Sequence, residues 1–270
     1  MSKKYFLLPL ASGAAMMLIA GCASSGTAPE QAPVATAPSA RHPGIVPVID
    51  DRAMKEMKAM ANALSGAKTM SFVAMTMKPV HGPNDQWIHV LTTDAVEMQR
   101  PDKLFVTTGG DAYPQRIYFE SGNFAVIAPE AKLHTTREMA AKTIDGMLAE
   151  ASQVGGVSFP FADVLLTDPL VTWEKDLEGA LYIGQSSRGG EKLNHIAMTA
   201  KDVDWEIWTD VKTHLPRIVH VKFIGEHRAP SLMMEFSKWK LNEKIKSSDF
   251  AFKAPKESKS VSFAAPGEGK

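Results

Sequence analysis

Residues 70–92 read MSFVAMTMKPVHGPNDQWIHVLT, and this stretch decides the fold class. Its first part alternates with a period of two: Met70, Phe72 and Ala74 fall on one side, and residues 71, 73, 75 and 77 fall on the other. That alternation is typical of a β-strand. The turn residues at 82–85 separate it from a second run at 87–92. The stretch therefore predicts a β-hairpin.

The same pattern recurs before and after a helical region. Further strands are predicted at 95–99, 104–107, 116–120, 123–128, 181–186, 193–199, 204–209, 217–224 and 231–241, with 250–253 as a last edge strand. Helices are predicted from Asp51 to a stop at Gly66, from about 137 to 153, and over part of 159–166. About 10–11 antiparallel strands with two or three helices indicate an α+β fold in which one sheet wraps around helices.

Several strands are apolar on both faces, which is unusual for an antiparallel sheet with one side in water. Two or three helices cannot cover both faces. Either the sheet curls and buries its own concave side, or that side is a pocket for an apolar ligand. The first helix adds a stripe of Met54, Met57, Ala61 and Leu64, which indicates either core packing or a soft surface for a flexible ligand. A core that is simply rich in methionine remains an alternative.

The composition excludes several classes of protein. Lys plus Arg number 30 against 30 Asp plus Glu, and 44% of residues are hydrophobic. A neutral chain has no electrostatic footprint for nucleic acid, and this apolar content is too high for a largely disordered chain. The single Cys excludes an internal disulfide. Nucleophile elbows, metal-binding His pairs and phosphate-cradling loops are missing from the sequence, so we expect no enzyme, no cofactor and no metal site.

The N-terminus predicts export. Lys3 and Lys4 precede an apolar run at 6–19, as in a signal peptide. Leu18-Ile19-Ala20-Gly21-Cys22 resembles the lipobox of bacterial lipoproteins, which implies cleavage after residue 21 and lipidation of Cys22. A buried free Cys at a plain signal junction is the alternative. Ala23 resembles the residue that follows the Cys in lipoproteins sorted to the outer membrane, with the protein on its periplasmic face.

The remaining chain divides into three parts. Residues 22–49 begin with the lipidated Cys and are rich in Ala, Pro, Ser and Thr, so they predict a flexible tether. Residues 50–265 are expected to form one folded domain, and 266–270 a disordered tail.

Short motifs along the chain resemble one family. They are RPDKL at 100–104, GGD at 109–111, FESGN at 119–123, FPFAD at 159–163 with Asp168-Pro169, NHIA at 194–197, DWEIW at 204–208 and LPR at 215–217. Their order and spacing resemble DUF2092, a family of predicted bacterial periplasmic proteins and lipoproteins. That family is similar in fold to the LolA, LolB, RseB and LppX group, so the resemblance implies an open antiparallel β half-barrel whose concave face is plugged by the helices.

The resemblance implies binding of lipid, or of lipoprotein acyl chains, in an apolar cavity, and it implies no catalysis. The candidate lining residues are Met54, Met57, Leu64, Phe72, Trp87, Leu91, Trp205, Ile207, Met234 and Phe236. Arg100 is the candidate polar residue, as a partner for a ligand or helix in the cavity or as a cation that stabilises a turn. The expected partners are lipid, the membrane through the anchor, and an envelope protein. A stress sensor of RseB type that binds a protein is the alternative function, ahead of a hydrolase.

Overall fold

The computed structural model describes residues 47–154 and 159–262. The signal peptide at 1–21, Cys22, most of the tether and the tail from residue 266 lie outside these residues, so those parts of the interpretation stay predictions. Within the described part, four α-helices accompany one sheet of twelve strands. The predicted α+β class, with an open and mostly antiparallel sheet, is confirmed; the strands number two or one more than expected.

The helices are α1 (Asp51–Ser65), α2 (Ile144–Val154), α3 (Ala162–Leu165) and α4 (Pro169–Glu174). The strands are β1 (Thr69–His81), β2 (Trp87–Gln99), β3 (Lys103–Gly110), β4 (Gln115–Glu120), β5 (Asn123–Ala128), β6 (Leu133–Glu138), β7 (Leu177–Arg188), β8 (Glu191–Ala200), β9 (Val203–Asp210), β10 (Pro216–Lys222), β11 (Ser231–Leu241) and β12 (Lys259–Ser260). Their order across the sheet is β12-β6-β5-β4-β3-β2-β1-β11-β10-β9-β8-β7, so the sheet is open, with β12 and β7 at its ends.

The predicted hairpin, β1 and β2, lies in the middle of this sheet. Its two strands pair over thirteen residues each, from Thr69 opposite Gln99 to His81 opposite Trp87. Along β1 the side chains of Phe72, Ala74 and Thr76 are buried, while their neighbours are more exposed. Period-two alternation therefore gives the sheet an inner face, which contacts the helices, and an outer face.

The inner face belongs to one continuous hydrophobic core. That core includes Phe124 of β5, near one edge of the sheet, and Ala180 of β7, at the other edge. It also includes Met57 and Leu64 of α1 and Met147 of α2. Strands so far apart in the sheet share one core because the sheet curves around the helices.

Helix α1 begins and ends where the sequence predicts. The Asp50 carboxylate accepts a hydrogen bond from the Arg52 backbone N–H at 2.8 Å, as an N-cap does. The Gly66 N–H donates to the Asn62 carbonyl at the other end. Glu56 on the same helix is buried and accepts hydrogen bonds from the Thr209 hydroxyl and from His214 Nδ1, so α1 is fixed to the end of β9.

Two boundaries differ from the prediction. Residues 87–92 and 95–99 form one strand, β2, because Asp94 continues the inward positions and its carboxylate accepts a 2.6 Å hydrogen bond from the Thr108 hydroxyl. Helix α2 begins at Ile144, not near 137, because 133–138 are β6 and pair with β5. The polar sequence of β6 concealed it, since pairing with its neighbour and not burial stabilises that strand.

The predicted edge strand at 250–253 is wrong. Phe250 follows a 3-10 turn at Ser247–Asp249 and is fully buried, and the ring of Phe252 lies 5.9 Å from that of Tyr118 on the outer face. The C-terminal segment thus covers the outer face near β4. It then pairs in parallel with β6 as β12, which makes β12 the actual edge.

The outer face retains apolar surface elsewhere. Leu91, Met77 and Met233 lie side by side on β2, β1 and β11 and are between 37% and 40% exposed. The expectation of apolar residues on both faces is therefore met in two ways: the C-terminal segment covers part of the outer face, and the remaining apolar residues face solvent. Among the described helices, none has the length and apolar character that a membrane crossing requires.

We expect Phe72→Ala to lower the free energy of unfolding by about 3–5 kcal/mol, because Phe72 is 2% exposed and contacts the rings of Phe161, Phe236 and Trp239. Val171→Ala is the control; Val171 is 65% exposed on α4, and its loss should change stability by less than about 0.5 kcal/mol. Urea unfolding measures both. A loss below 1 kcal/mol for Phe72→Ala would contradict this packing.

Candidate functional site

A small apolar hollow lies between the inner face and the short helices α3 and α4. Its volume is about 40 Å³. The sheet side is made of Trp205 and Ile207 of β9, Val219 and Val221 of β10, and Met234 and Phe236 of β11, with Pro216 at the start of β10. The helical side is made of Met60 of α1, Pro160, Phe161, Asp163 and Val164 around α3, and Thr172 and Trp173 of α4.

Four of the predicted lining residues come together in this hollow: Trp205, Ile207, Met234 and Phe236. They meet because inward positions of β9 and β11 face the same segment, residues 159–174 with α3 and α4, which we call the cover. Trp205 is 5% exposed, whereas Trp208 points to the outer face and stacks on His195 with ring centroids 4.1 Å apart. Met57, Leu64 and Phe72 lie in the surrounding core and do not line the hollow.

Three predicted lining residues lie elsewhere. Trp87 and Leu91 occupy odd positions of β2, which point to the outer face; Leu91 is 40% exposed there, and Trp87 Nε1 donates a 2.9 Å hydrogen bond to the His227 carbonyl. Apolar character alone does not indicate the side here, because Ile88 and Val90 make the inward face of the same stretch apolar as well. Met54 lies along the outside of α1, in a shallow groove with Lys55 and Lys58.

Arg100 forms hydrogen bonds with the backbone of the cover. Its Nη1 and Nη2 atoms donate to the carbonyl oxygens of Leu165 and Leu166, each at 2.9 Å, and its Nε donates to the Ala67 carbonyl at 3.1 Å. These carbonyls lie at the end of α3 and just after α1. Carbonyls at a helix end have no partner within the helix, so the guanidinium satisfies them. Arg100 thus contacts the end of α3 in this structure, and a role toward a ligand stays a prediction.

A second set of contacts holds the loop between α3 and α4. The Thr167 backbone N–H and hydroxyl both donate to the Asp145 carboxylate of α2, at 3.1 Å. Burial lowers the pKa of Arg100, and the charge of Asp145 works against that change. Lys58 of α1 and Glu174 of α4 form a looser, exposed pair at 3.9 Å. On this side, hydrogen bonds thus add to the packing of Phe161, Leu165 and Trp173 in the core.

Asp163 is the titratable group in the lining of the hollow. The residue keeps some exposed surface, yet enough protein surrounds its carboxyl for desolvation to dominate. That burial raises the pKa of Asp163 to about 6, and a hydrogen bond with the Trp173 side chain works in the opposite direction. Both residues lie on the helical cover.

The chemistry available here is that of apolar binding. The lining is almost entirely hydrophobic, and within residues 47–154 and 159–262 there is no cluster of three His, Cys, Asp or Glu side chains able to hold a metal. A volume of about 40 Å³ is far below the ~300–1,000 Å³ typical of ligand pockets. In this structure the cover therefore nearly fills the space beneath it.

The sequence indicates a helix within 159–166, where α3 lies, but it gives no clear signal for α4. Asp168 followed by Pro169 is a helix start, with Asp168 accepting from the Val171 N–H and Pro169 in the first turn. The same pair also resembles a helix stop, which hid α4 and Trp173. Phe161 and Asp163 lay within the quoted FPFAD motif, but nothing local showed that they face the hollow.

The comparisons place the chain in one family by sequence. The sequence model of DUF2092, described as a predicted periplasmic protein, matches residues 53–264. No curated protein matches the chain.

Among solved structures, similarity is seen with MucB of Pseudomonas aeruginosa in complex with MucA, with 12% identity and a TM-score of 0.41 over 75% of this chain. The lipoprotein LppX of Mycobacterium tuberculosis gives 13% and 0.43 over 73% of this chain and 98% of LppX. A LolA superfamily protein of Nitrosomonas europaea gives 11% and 0.34 over 74% of this chain and 97% of that protein. This chain spans only 62% of the MucB chain.

We expect Asp163→Asn to stabilise the protein at pH 7.5 but not at pH 4. Because the folded pKa of Asp163 is about 6 and the usual value is 3.8, the folded state holds the extra proton between these values, and stability falls as pH rises through 6. The side chain of the Asp163→Asn variant does not titrate. Its free energy of unfolding at pH 7.5, measured with urea, should therefore exceed that of the unchanged protein by about 1–3 kcal/mol. The exposed Asp176→Asn is the control. An advantage that is equal at both pH values would refute the burial of Asp163.

Proposed function

The chain belongs to the DUF2092 family of predicted periplasmic proteins, and on that premise we propose that it binds an acyl chain of a lipid or lipoprotein in the hollow beneath α3 and α4. The observation that carries the proposal is the apolar lining of that hollow, on its sheet side and on its helical side. Handling of lipids or lipoproteins in the periplasm follows from such binding, without catalysis.

The cover supports this proposal because its helices are short. Helices α3 and α4 have four and six residues, too few to be stable alone. Arg100 and Asp145 bind their backbone by hydrogen bonds, each contributing about 1–3 kcal/mol. Local opening that costs less than global unfolding is typical of ligand-binding segments. Outward movement of the cover would join the hollow to the space that Phe161 and Trp173 occupy.

The side chains that line the hollow also have the apolar character that binding of an acyl chain requires. Val219, Val221 and Ile207 present branched aliphatic carbon, and Met60 and Met234 contribute flexible thioethers that adapt to ligands of different shape. Burial of each methylene of a ligand contributes about 0.8 kcal/mol, so a long chain would offset the cost of opening the cover.

The test is binding by the Cys22→Ser chain, exported to the periplasm behind a signal peptide that replaces residues 1–21 and is cleaved without lipidation. Native mass spectrometry should show co-purified lipid, and fluorescent fatty-acid displacement should give its affinity. Val219→Phe and Thr172→Phe fill the hollow from the sheet side and from the cover side, and each should weaken binding at least 10-fold. Leu91→Phe on the outer face is the matched control and should bind normally.

Two results would refute the proposal. One is a purified protein without lipid that also fails to bind added fatty acid. The other is equal binding by the filled variants and the control, once circular dichroism shows that all of them are folded. The choice of two filling variants from opposite sides guards against a folding defect in either one.

A protein partner is the second candidate function, in the manner of an envelope stress sensor. The exposed row of Leu91, Met77 and Met233 on the outer face favours it. The two candidates separate in the experiment above, since Val219→Phe would leave binding to the outer row unchanged.

We also propose that Cys22 carries the lipid anchor at the periplasmic face of the outer membrane, after removal of residues 1–21. The lipobox resemblance of residues 18–22 supports this anchor, and several acyl chains hold a protein firmly on a membrane. Cys22→Ser should move the protein from the outer-membrane fraction to the soluble periplasm and abolish labelling by palmitate. Ser24→Ala is the control. Retention of the Cys22→Ser chain in the membrane would contradict the anchor.

A further inference from the structure

A strip of polar side chains lies on the inner face beside the hollow. It consists of Thr76 and Lys78 of β1, Thr92 and Asp94 of β2, and Thr108 of β3. These positions share one face because Thr76 pairs with Thr92, and Asp94 pairs with Thr108. Most of the inner face is apolar, so five adjacent polar positions on it require an explanation.

The polar strip borders the hollow directly. Thr76 pairs on its other side with Met234 of β11, which lines the hollow. Lys78 is the next inward position along β1, about 6.8 Å further on. Val221, another lining residue, pairs with Leu232, which is the inward position of β11 next to Met234. The hollow and the polar strip are thus neighbouring parts of one surface.

Thr76 has a hydroxyl with no hydrogen-bond partner. The residue is 0% exposed, and its Oγ1 makes no hydrogen bond. A buried hydroxyl without a partner costs about 1–3 kcal/mol. Such groups are uncommon in folded proteins, and a bound water, ion or ligand that supplies the missing hydrogen bond is one explanation for them.

Lys78 has an ammonium group with no counter-charge. Among the described residues, no carboxylate forms an ion pair with it. Burial lowers the pKa of Lys78, and no neighbouring charge acts against that change. Asp94, the acid of the polar strip, accepts hydrogen bonds from Thr108 and Thr92, and burial raises its pKa. A half-buried cation of this kind is stabilised by an anion brought by a ligand.

We propose that the ligand of the hollow is an anionic amphiphile whose carboxylate or phosphate group binds at Lys78 and Thr76 while its apolar chain enters the hollow. This inference rests on the proposed function and names the class of its ligand. Lys78 supplies the charge, and the Thr76 hydroxyl donates a hydrogen bond to the same oxygen group. Charge-assisted hydrogen bonds are stronger than neutral ones, so the headgroup would discriminate among lipids of equal chain length.

The test compares ligands that share a chain and differ in charge. Palmitic acid is measured against methyl palmitate, and palmitoyl lysophosphatidylglycerol against the zwitterionic palmitoyl lysophosphatidylcholine, with the Cys22→Ser chain as the reference protein. We expect the anionic member of at least one pair to bind 10-fold or more tightly. A preference in the first pair alone identifies a fatty-acid carboxylate, and one in the second pair alone identifies a phospholipid headgroup of net negative charge.

Two variants assign the preference to the polar strip. Lys78→Met should remove it and leave methyl palmitate within twofold of the reference. Thr76→Val should weaken the anion several-fold and stabilise the unliganded protein, because a buried hydroxyl without a partner is lost. Lys222→Met, an exposed lysine on β10, is the matched control and should keep the preference.

The outcomes separate this inference from the function on which it rests. Equal binding of the two members in both pairs, or a preference that survives Lys78→Met, overturns the anionic headgroup but leaves acyl-chain binding intact. Failure of every ligand to bind overturns the proposed function and this inference with it.

Discussion

Phe72, at the centre of the sheet, packs edge-on against Phe161 with ring centroids 5.7 Å apart, and this contact joins the sheet to its helical cover. Phe236 and Trp239 complete the aromatic group on the sheet side. Phe161 directly precedes α3, so the same ring that seals the core also seals the hollow. The stability of the fold and the closure of the hollow therefore depend on one cluster of rings, since large aromatic side chains contribute most to a core.

The cover is held differently on its other side. Arg100 and Asp145 bind backbone groups around Leu165 and Thr167, so polar contacts add to the packing of Leu165 and Leu166 in the core. Polar contacts exchange with water at little net cost when a segment moves, whereas packed rings do not. A hollow of only about 40 Å³ would have to open before it could take up a long acyl chain.

The inner face also combines two kinds of surface. The hollow is apolar at Trp205 and Ile207, and the adjoining polar strip includes Thr76 and Lys78. An apolar ligand alone would leave the polar strip unsatisfied, and a polar ligand alone would gain nothing from the hollow. An amphiphile satisfies both, because its two ends differ in the same way as the two parts of the surface.

The sequence by itself determined the fold class, the limits of α1 and the faces of the strands with a clear period of two, such as β1 and β9. Local rules suffice there, because alternation and capping act between residues close in the chain. It also predicted Trp205, Ile207, Met234 and Phe236 as lining residues, and these four lie together around the hollow. Only the tertiary structure decided that Trp87 and Leu91 face outward, that 250–253 cross the outer face, and that Arg100 binds the end of α3. These depend on which surfaces meet across the sheet, and such contacts join residues whose separation in the chain carries no local signal.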